Sequence, residues 1–268
     1  MNTFYMVVVC VLFGMTADDP QAGTKLGELL SAPRWAIAPE VSWFHYEEPG
    51  LMEEEGAMYG VSASYTRYYR APMADRILKV EGGFSAGEVD YDGSLLDGTP
   101  YTVEGNDDLL ANARVLWGPL WHTDTWANYF HYGLGYRYLQ DDSTHDPAGY
   151  RRHSNYLYLP LGLKAYRPLS GDWYVELGGE LDVLIVGLQI SEVPESATES
   201  PNVENWQWPG LGARGSVEVR HKTDSLDLAL APFIQYWWID DSRPSSSRMW
   251  YEPRNWSLQV GLNLLWRF

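Results

Sequence analysis

The sequence predicts an all-β fold: a single closed, antiparallel, up-and-down transmembrane β-barrel of ten strands. Three observations carry that reading. The final stretch alternates, with Trp256, Leu258, Val260, Leu262, Leu264, Trp266 and Phe268 on one face and Ser257, Gln259, Gly261, Asn263, Leu265 and Arg267 between them. Successive strand residues point to opposite faces, so this stretch sets an apolar face against a small or polar one. The same pattern recurs through the chain and ends repeatedly in aromatics, of which there are 13 Trp, 19 Tyr and 7 Phe. Tyr and Trp suit a boundary where one end of the ring is apolar and the other wet. Finally, no apolar run after residue 15 approaches the roughly 20 residues of a spanning helix, whereas a barrel needs only alternate residues apolar. A soluble ten-stranded barrel or sandwich is the competing architecture. It predicts that Leu157, Leu159, Leu161 and Leu163 face a protein core.

The elements follow in chain order. Residues 4–15, FYMVVVCVLFGM, have the length and apolarity of a signal-peptide core, and small residues precede Asp18-Asp19. Cleavage near Ala17 is expected, making 1–17 the signal peptide and 18–36 a polar lead-in. A basic start is missing, so either the true start lies upstream or the signal is weak; a buried strand or helix is the competing reading. Strands are then expected at 37–47, 57–69, 76–90, 108–118, 125–139, 153–167, 172–190, 208–222 and 225–239, with the tenth at the C-terminus. The second sets Tyr59, Val61, Ala63 and Tyr65 against Gly60, Ser62 and Ser64; the fifth sets Phe130, Tyr132, Leu134, Tyr136 and Tyr138 against His131, Gly133, Gly135 and Arg137. Pro160 and Pro232 remove ladder donors and predict local irregularity.

The connections alternate in length. Short ones follow the second, fourth, sixth and eighth strands, and mostly longer ones are expected at 47–56, 91–107, 140–152, 191–207 and 240–253. Short turns at one end and longer loops at the other are the habit of outer-membrane barrels. The chain resembles small bacterial (Gram-negative) outer-membrane β-barrel proteins. The residues carrying the resemblance are Trp266-Arg267-Phe268, the dyad repeats at 157–163 and 226–238, and the aromatic strand ends. It extends over 37–268, and the segment from Tyr46 to Gly60 looks like the first hairpin of such proteins. The resemblance implies an integral cell-envelope location with long loops outside and both termini periplasmic. It also implies lipid and lipopolysaccharide as surroundings, and recognition of the C-terminal strand, through Trp266 and Phe268, by the barrel-assembly machinery.

Charge narrows the partners. The net charge is −17, which opposes nucleic acid as a partner. The only cysteine is Cys10, inside the apolar leader, so no disulfide is expected in the mature chain. The inward faces carry Lys79, Glu81, Arg114, Arg137, Lys164, Glu176, Glu180, Asp182, Arg214, Glu218, Arg220, Asp227 and Arg267. A small barrel is filled largely by its own side chains. These charges are therefore expected to pair across a mostly plugged lumen, or else to line a narrow path for ions or small solutes. Glu176, Glu180 and Asp182 share one face and need nearby arginines, for which Arg214 and Arg220 are the candidates.

The leading expectation for function is a structural or surface-interaction barrel, without catalysis and without a cofactor or a defined metal motif. A narrow channel is the alternative, and a membrane-embedded hydrolase is a third class. Ten strands is the count of the omptin proteases, which use paired acids with a His-Asp pair on the rim. Here His122 and Asp124 fall at the expected periplasmic end, and His145-Asp146 lacks a matching acid pair. His153-Ser154 is similar to the His and Ser of lipid A deacylases but lacks the residue that separates them there. The acidic segments Glu47-Glu48 with Glu53-Glu54-Glu55, Asp90 with Asp92, and Asp107-Asp108 offer oxygen ligands for divalent cations at the lipopolysaccharide headgroups, although none has the spacing of a defined calcium motif. Arg243, Arg248 and Arg254 with Trp250 and Tyr251 suit lipid phosphates or a stacking partner.

Overall fold

The computed structural model describes residues 34–72, 74–94, 98–123, 125–147, 149–192, 202–245 and 250–268. The expected signal peptide, Asp124 and Arg248 lie outside them. Eleven strands form: β1 (Arg34–Glu48), β2 (Met52–Tyr69), β3 (Asp75–Ser94), β4 (Pro100–His122), β5 (Ala127–Asp142), β6 (Arg151–Pro168), β7 (Trp173–Glu192), β8 (Val203–Gln207), β9 (Gly210–Lys222), β10 (Asp227–Ile239) and β11 (Asn255–Arg267). Each pairs antiparallel with its neighbour, and β11 returns to β1 from Ala36↔Arg267 to Glu47↔Trp256. Pairing of β11 with β1 and of β6 with β7 closes the ring, the condition for burying backbone amides in lipid, and only short β8 ends the sheet.

The barrel has ten staves, because β8 and β9 are two parts of one. β9 lies beside Trp173–Val183 of β7, and β8 lies beside Gly187–Ser191 of the same strand. The break falls at Trp208-Pro209, where Pro209 has no N–H to give the ladder. Register shifts also occur at Val89/Tyr91 between β3 and β4 and at Leu157/Tyr158 between β6 and β7, where Ile185 of β7 is skipped, near the expected break at Pro160.

The staves run further than the alternation suggests. Three connections expected to be long are tight or structured. β1 and β2 are joined by 49–51 with Gly50 at φ +79, β3 and β4 extend to Ser94 and back from Pro100, and β8 occupies part of 191–207. The reason is that outside the lipid zone the outward face turns polar. Glu53, Glu55, Glu88, Asp90 and Asp92 replace apolar residues there, which erases the hydropathy signal but not the ladder.

Within that zone the outward face is apolar for about nine to eleven residues per stave, the length that crosses a bilayer. It runs from Trp35 to Trp43 on β1, Ala57 to Tyr65 on β2, Phe130 to Tyr138 on β5, Leu157 to Ala165 on β6 and Trp256 to Trp266 on β11. Leu159, Leu161 and Leu163 are 45–46 % exposed, so they face outward and not into a protein core. That excludes the soluble architecture. No helix among the described residues is long and apolar enough to cross a membrane. We call the end with the short turns and the β1/β11 termini proximal, and the other end distal.

Candidate functional site

The interior divides into three layers. The proximal half is a polar cavity of about 260 Å³. Lys79, Glu81, Arg114, Arg137, Lys164, Glu176, Glu180, Arg214, Glu218, Arg220 and Arg267 line it, while Asp182 and Asp227 sit behind it against arginines. Their alternation with lipid-facing residues brings all thirteen inside. The pairs are specific: Arg34 to Asp227 (2.9 Å), Arg267 to Glu218 (2.6 Å), Arg214 to Asp182 (2.8 Å), Arg220 to Asp227 and Lys164 to Glu176. At mid-barrel, Lys79 and Arg114 hold Glu81, and Arg114 also reaches Glu180. Buried His131 approaches the same Glu180 at 2.6 Å.

One expectation needs correction. Arg214 does neutralise Asp182 and Glu180, but Arg220 turns to Asp227 on the neighbouring strand, and Glu176 is held by Lys164 of β6. Two cavity residues had no sequence signal. Arg34 precedes the expected first strand, and His131 is neutral by type and reads as a polar-face filler.

Above the cavity the interior is dry. Phe44, Tyr46, Met52, Met58, Val89, Leu110 and Leu139 form one buried cluster, and Tyr156, Tyr158, Leu184, Trp237 and Ile239 form another. Trp237 packs edge-on to Tyr158 at 5.0 Å and stacked with Tyr156 at 6.4 Å. Arg137 lies over Tyr156 and Trp237, 5.7 Å from each ring, and donates to Ser257 Oγ at 3.0 Å. Room for these rings comes from glycine. A Cβ on Gly135 would stand 2.2 Å from the Tyr158 ring, and one on Gly212 2.8 Å from that of Trp237.

The distal layer is charged again. Arg152 meets Glu48 at 2.6 Å, Asp141 at 2.7 Å, Glu54 at 3.6 Å and Glu252 at 3.9 Å. Asp108 stands directly across the β4/β5 ladder from Asp141. Burial pushes the carboxyls of Glu54, Asp108 and Glu252 well above the usual carboxylate range, and neighbouring acids push them further. The sequence pattern puts Glu54 in the 47–56 connection and Asp108 at the very start of the fourth strand. The usable signal was phase: carrying the β2 alternation back from Met58 puts Glu54 and Met52 inside.

The hydrolase candidates are not assembled. His153 and Ser154 are adjacent on β6 and therefore face opposite sides: His153 meets Tyr138 and Glu192 outside, and Ser154 bonds Gln189 inside. His145 is exposed in the 143–150 connection. His45 faces outward against Trp43 and Trp256. Of the arginine-rich distal loop, Tyr251 is exposed, and the backbone of Arg254 donates to Asp241.

Neither protein-family models nor curated proteins match the chain. Solved structures do. The outer-membrane protease OmpT of Escherichia coli superposes with a TM-score of 0.51 at 8% identity, over 88% of this chain and 96% of that one. The fold is that of the outer-membrane β-barrels. The transport unit of the autotransporter AIDA-I from Escherichia coli (TM-score 0.43, 9% identity, 93% and 99% covered) also aligns. So does the translocator domain of the autotransporter NalP from Neisseria meningitidis (0.41, 12%, 90% and 91%). At 8% identity the likeness to OmpT speaks for architecture alone.

Proposed function

We propose that this protein is an integral outer-membrane barrel with a closed lumen, structural or surface-interacting in role and without catalysis, its distal end outside and its termini periplasmic. The observation that carries the closed lumen is the dry layer. Every stave contributes a buried inward residue there, from Phe44, Met58, Val89, Leu110 and Leu139 through Tyr156 and Leu184 to Gly212, Trp237 and Ser257. The wall of an open pore would be wet at that level. The charges beneath it are mutually paired, as expected of side chains that brace a narrow barrel.

The outward surface supports the membrane reading and its partners. The apolar zone fits lipid, and acidic pairs stand in register just distal to it: Glu53 opposite Asp92, Glu55 opposite Asp90 and Glu88 opposite Asp107. Like charges directly opposed destabilise a sheet. Divalent cations shared with lipopolysaccharide phosphates would relieve them. Trp266 and exposed Phe268 are the residues through which the assembly machinery would read the C-terminal strand.

A narrow channel is the second reading, and the 260 Å³ charged cavity is what favours it. One experiment separates the two. The chain from residue 18 onward is folded into detergent and then into planar bilayers, with heat-modifiable gel mobility and single-channel current recorded on one sample. Insertion without current is expected. Stable, ion-selective steps would overturn the closed lumen, and full solubility without detergent would overturn the membrane reading.

A further inference from the structure

The distal layer gathers more acids than its own cations can pair. One guanidinium, Arg152, stands among five carboxylates, those of Glu48, Glu54, Asp108, Asp141 and Glu252. Buried carboxyls so crowded either keep a proton or need a further cation. Within this group Glu54, Asp108 and Asp141 are set apart, since each can bring a carboxylate oxygen within 4.8 Å of the other two. They come from three strands, β2, β4 and β5.

The second observation concerns what those oxygens do. Glu54 and Asp108 are 1–2 % exposed, and neither oxygen of either residue has a hydrogen-bond partner; Oδ1 of Asp141 has none either. Asn106, the next inward residue on β4, is fully buried with both amide atoms unpaired. Native proteins seldom leave such groups unsatisfied unless something else binds them. A cavity of about 10 Å³, lined by Glu54 and Asp141 together with Arg152, Ser154 and Gln189, adjoins the group. That is about the room of a single water-sized sphere.

We propose that Glu54, Asp108 and Asp141 form a buried site for one hard divalent cation of the calcium class. The donors are all oxygen, which disfavours zinc. Calcium accepts six to eight oxygens at flexible angles, whereas magnesium keeps several waters that this space does not hold. The ion ties β2, β4 and β5 together inside the distal mouth. This site is separate from the exposed acidic pairs outside the barrel, and it needs neither lipid nor lipopolysaccharide.

The test uses the folded chain in detergent micelles, stripped with EDTA and free of lipopolysaccharide. Calcium chloride is titrated by calorimetry, and thermal unfolding is followed on the same samples. One saturable calcium per chain is expected, with a rise in unfolding temperature and at least tenfold weaker binding of magnesium. Asp108→Asn is expected to weaken binding more than tenfold while retaining heat-modifiable mobility, and Asp92→Asn on the outer face to leave it unchanged. Glu54→Gln provides the same reading should Asp108→Asn not fold. No saturable binding by the wild-type chain would overturn the proposal. So would binding that survives in both Asp108→Asn and Glu54→Gln, or that is lost in Asp92→Asn.

Discussion

At the residue scale, the side of the wall decides what a substitution costs. Leu161 stands in the middle of the apolar zone on β6, nearly half exposed. In a soluble protein Leu161→Arg would be close to neutral. In a bilayer a mid-depth arginine on the lipid face costs about 2–4 kcal/mol. Equilibrium unfolding of Leu161→Arg from lipid vesicles is expected to show that loss, and an unchanged stability would contradict a lipid-facing β6. Arg114, inside, behaves differently. It holds both Glu81 and Glu180, so Arg114→Met takes one cation from each and leaves Glu81 to Lys79 and Glu180 to Arg214 and His131. Breaking a buried ion pair from one side costs about 3–5 kcal/mol. The triple change with Glu81→Gln and Glu180→Gln is expected to recover part of it, since Lys79 then loses Glu81, and urea titration of the three proteins would read the difference. His131 keeps a partner only while Glu180 can accept, so the histidine is part of the same unit.

At the element scale, the strands were legible wherever lipid enforces the alternation and illegible where it does not. The repeat Leu157, Leu159, Leu161, Leu163 located β6 to within two residues at its N-terminal end, and the run to Phe268 located β11. The alternation predicts a strand over 108–118, yet β4 spans Pro100–His122, because Glu104 and Asp107 carry no apolar phase. β8 was missed for a related reason: five residues beside the distal part of β7, set off from β9 by Trp208-Pro209, resemble loop composition. The lumen charges were found because an inward charge between two lipid-facing residues stands out. The distal carboxylates were not, because charge there lies on both faces. Polarity reports burial only where one side of the sheet is apolar. The dry layer is an element-scale device as well. Gly135 and Gly212 recess the wall so that Tyr158 and Trp237 fit within it. Gly212→Val is expected to displace Trp237, lowering stability and quenching less of its fluorescence, and an unaltered spectrum would show that the ring is not held there.

At the scale of the whole molecule, the net charge of −17 is distributed unevenly. The cavity is close to balanced: eight cationic side chains line it against five carboxylates, and Asp182 with Asp227 behind them bring the acids to seven. The negative excess therefore lies outside the cavity, and much of it crowds the distal end of β1–β5, on both faces of the wall. Distal charge of this kind disfavours anionic partners unless cations intervene. Divalent ions are thus expected to stabilise the folded chain more than matched ionic strength of sodium chloride, a comparison that thermal melts in detergent make directly. A ligand present at a hundred times its dissociation constant adds about 2.7 kcal/mol.

The seam between β1 and β11 has a consequence for how the chain order matters. Trp35 and Phe268 exchange both backbone hydrogen bonds at 3.0 Å, so the two ends of the ladder meet side by side. A ring so closed has no privileged first strand. Linking Phe268 to Arg34 through a few glycines and cutting the chain in the 169–172 turn would give a circular permutant with every ladder pair intact. Such a permutant should fold in detergent to the same heat-modifiable form. In cells it would end in the strand now called β6 and its Pro168, and would lack a terminal phenylalanine. Folding in vitro with failure to reach the membrane in vivo would separate the information that shapes this barrel from the address that delivers it.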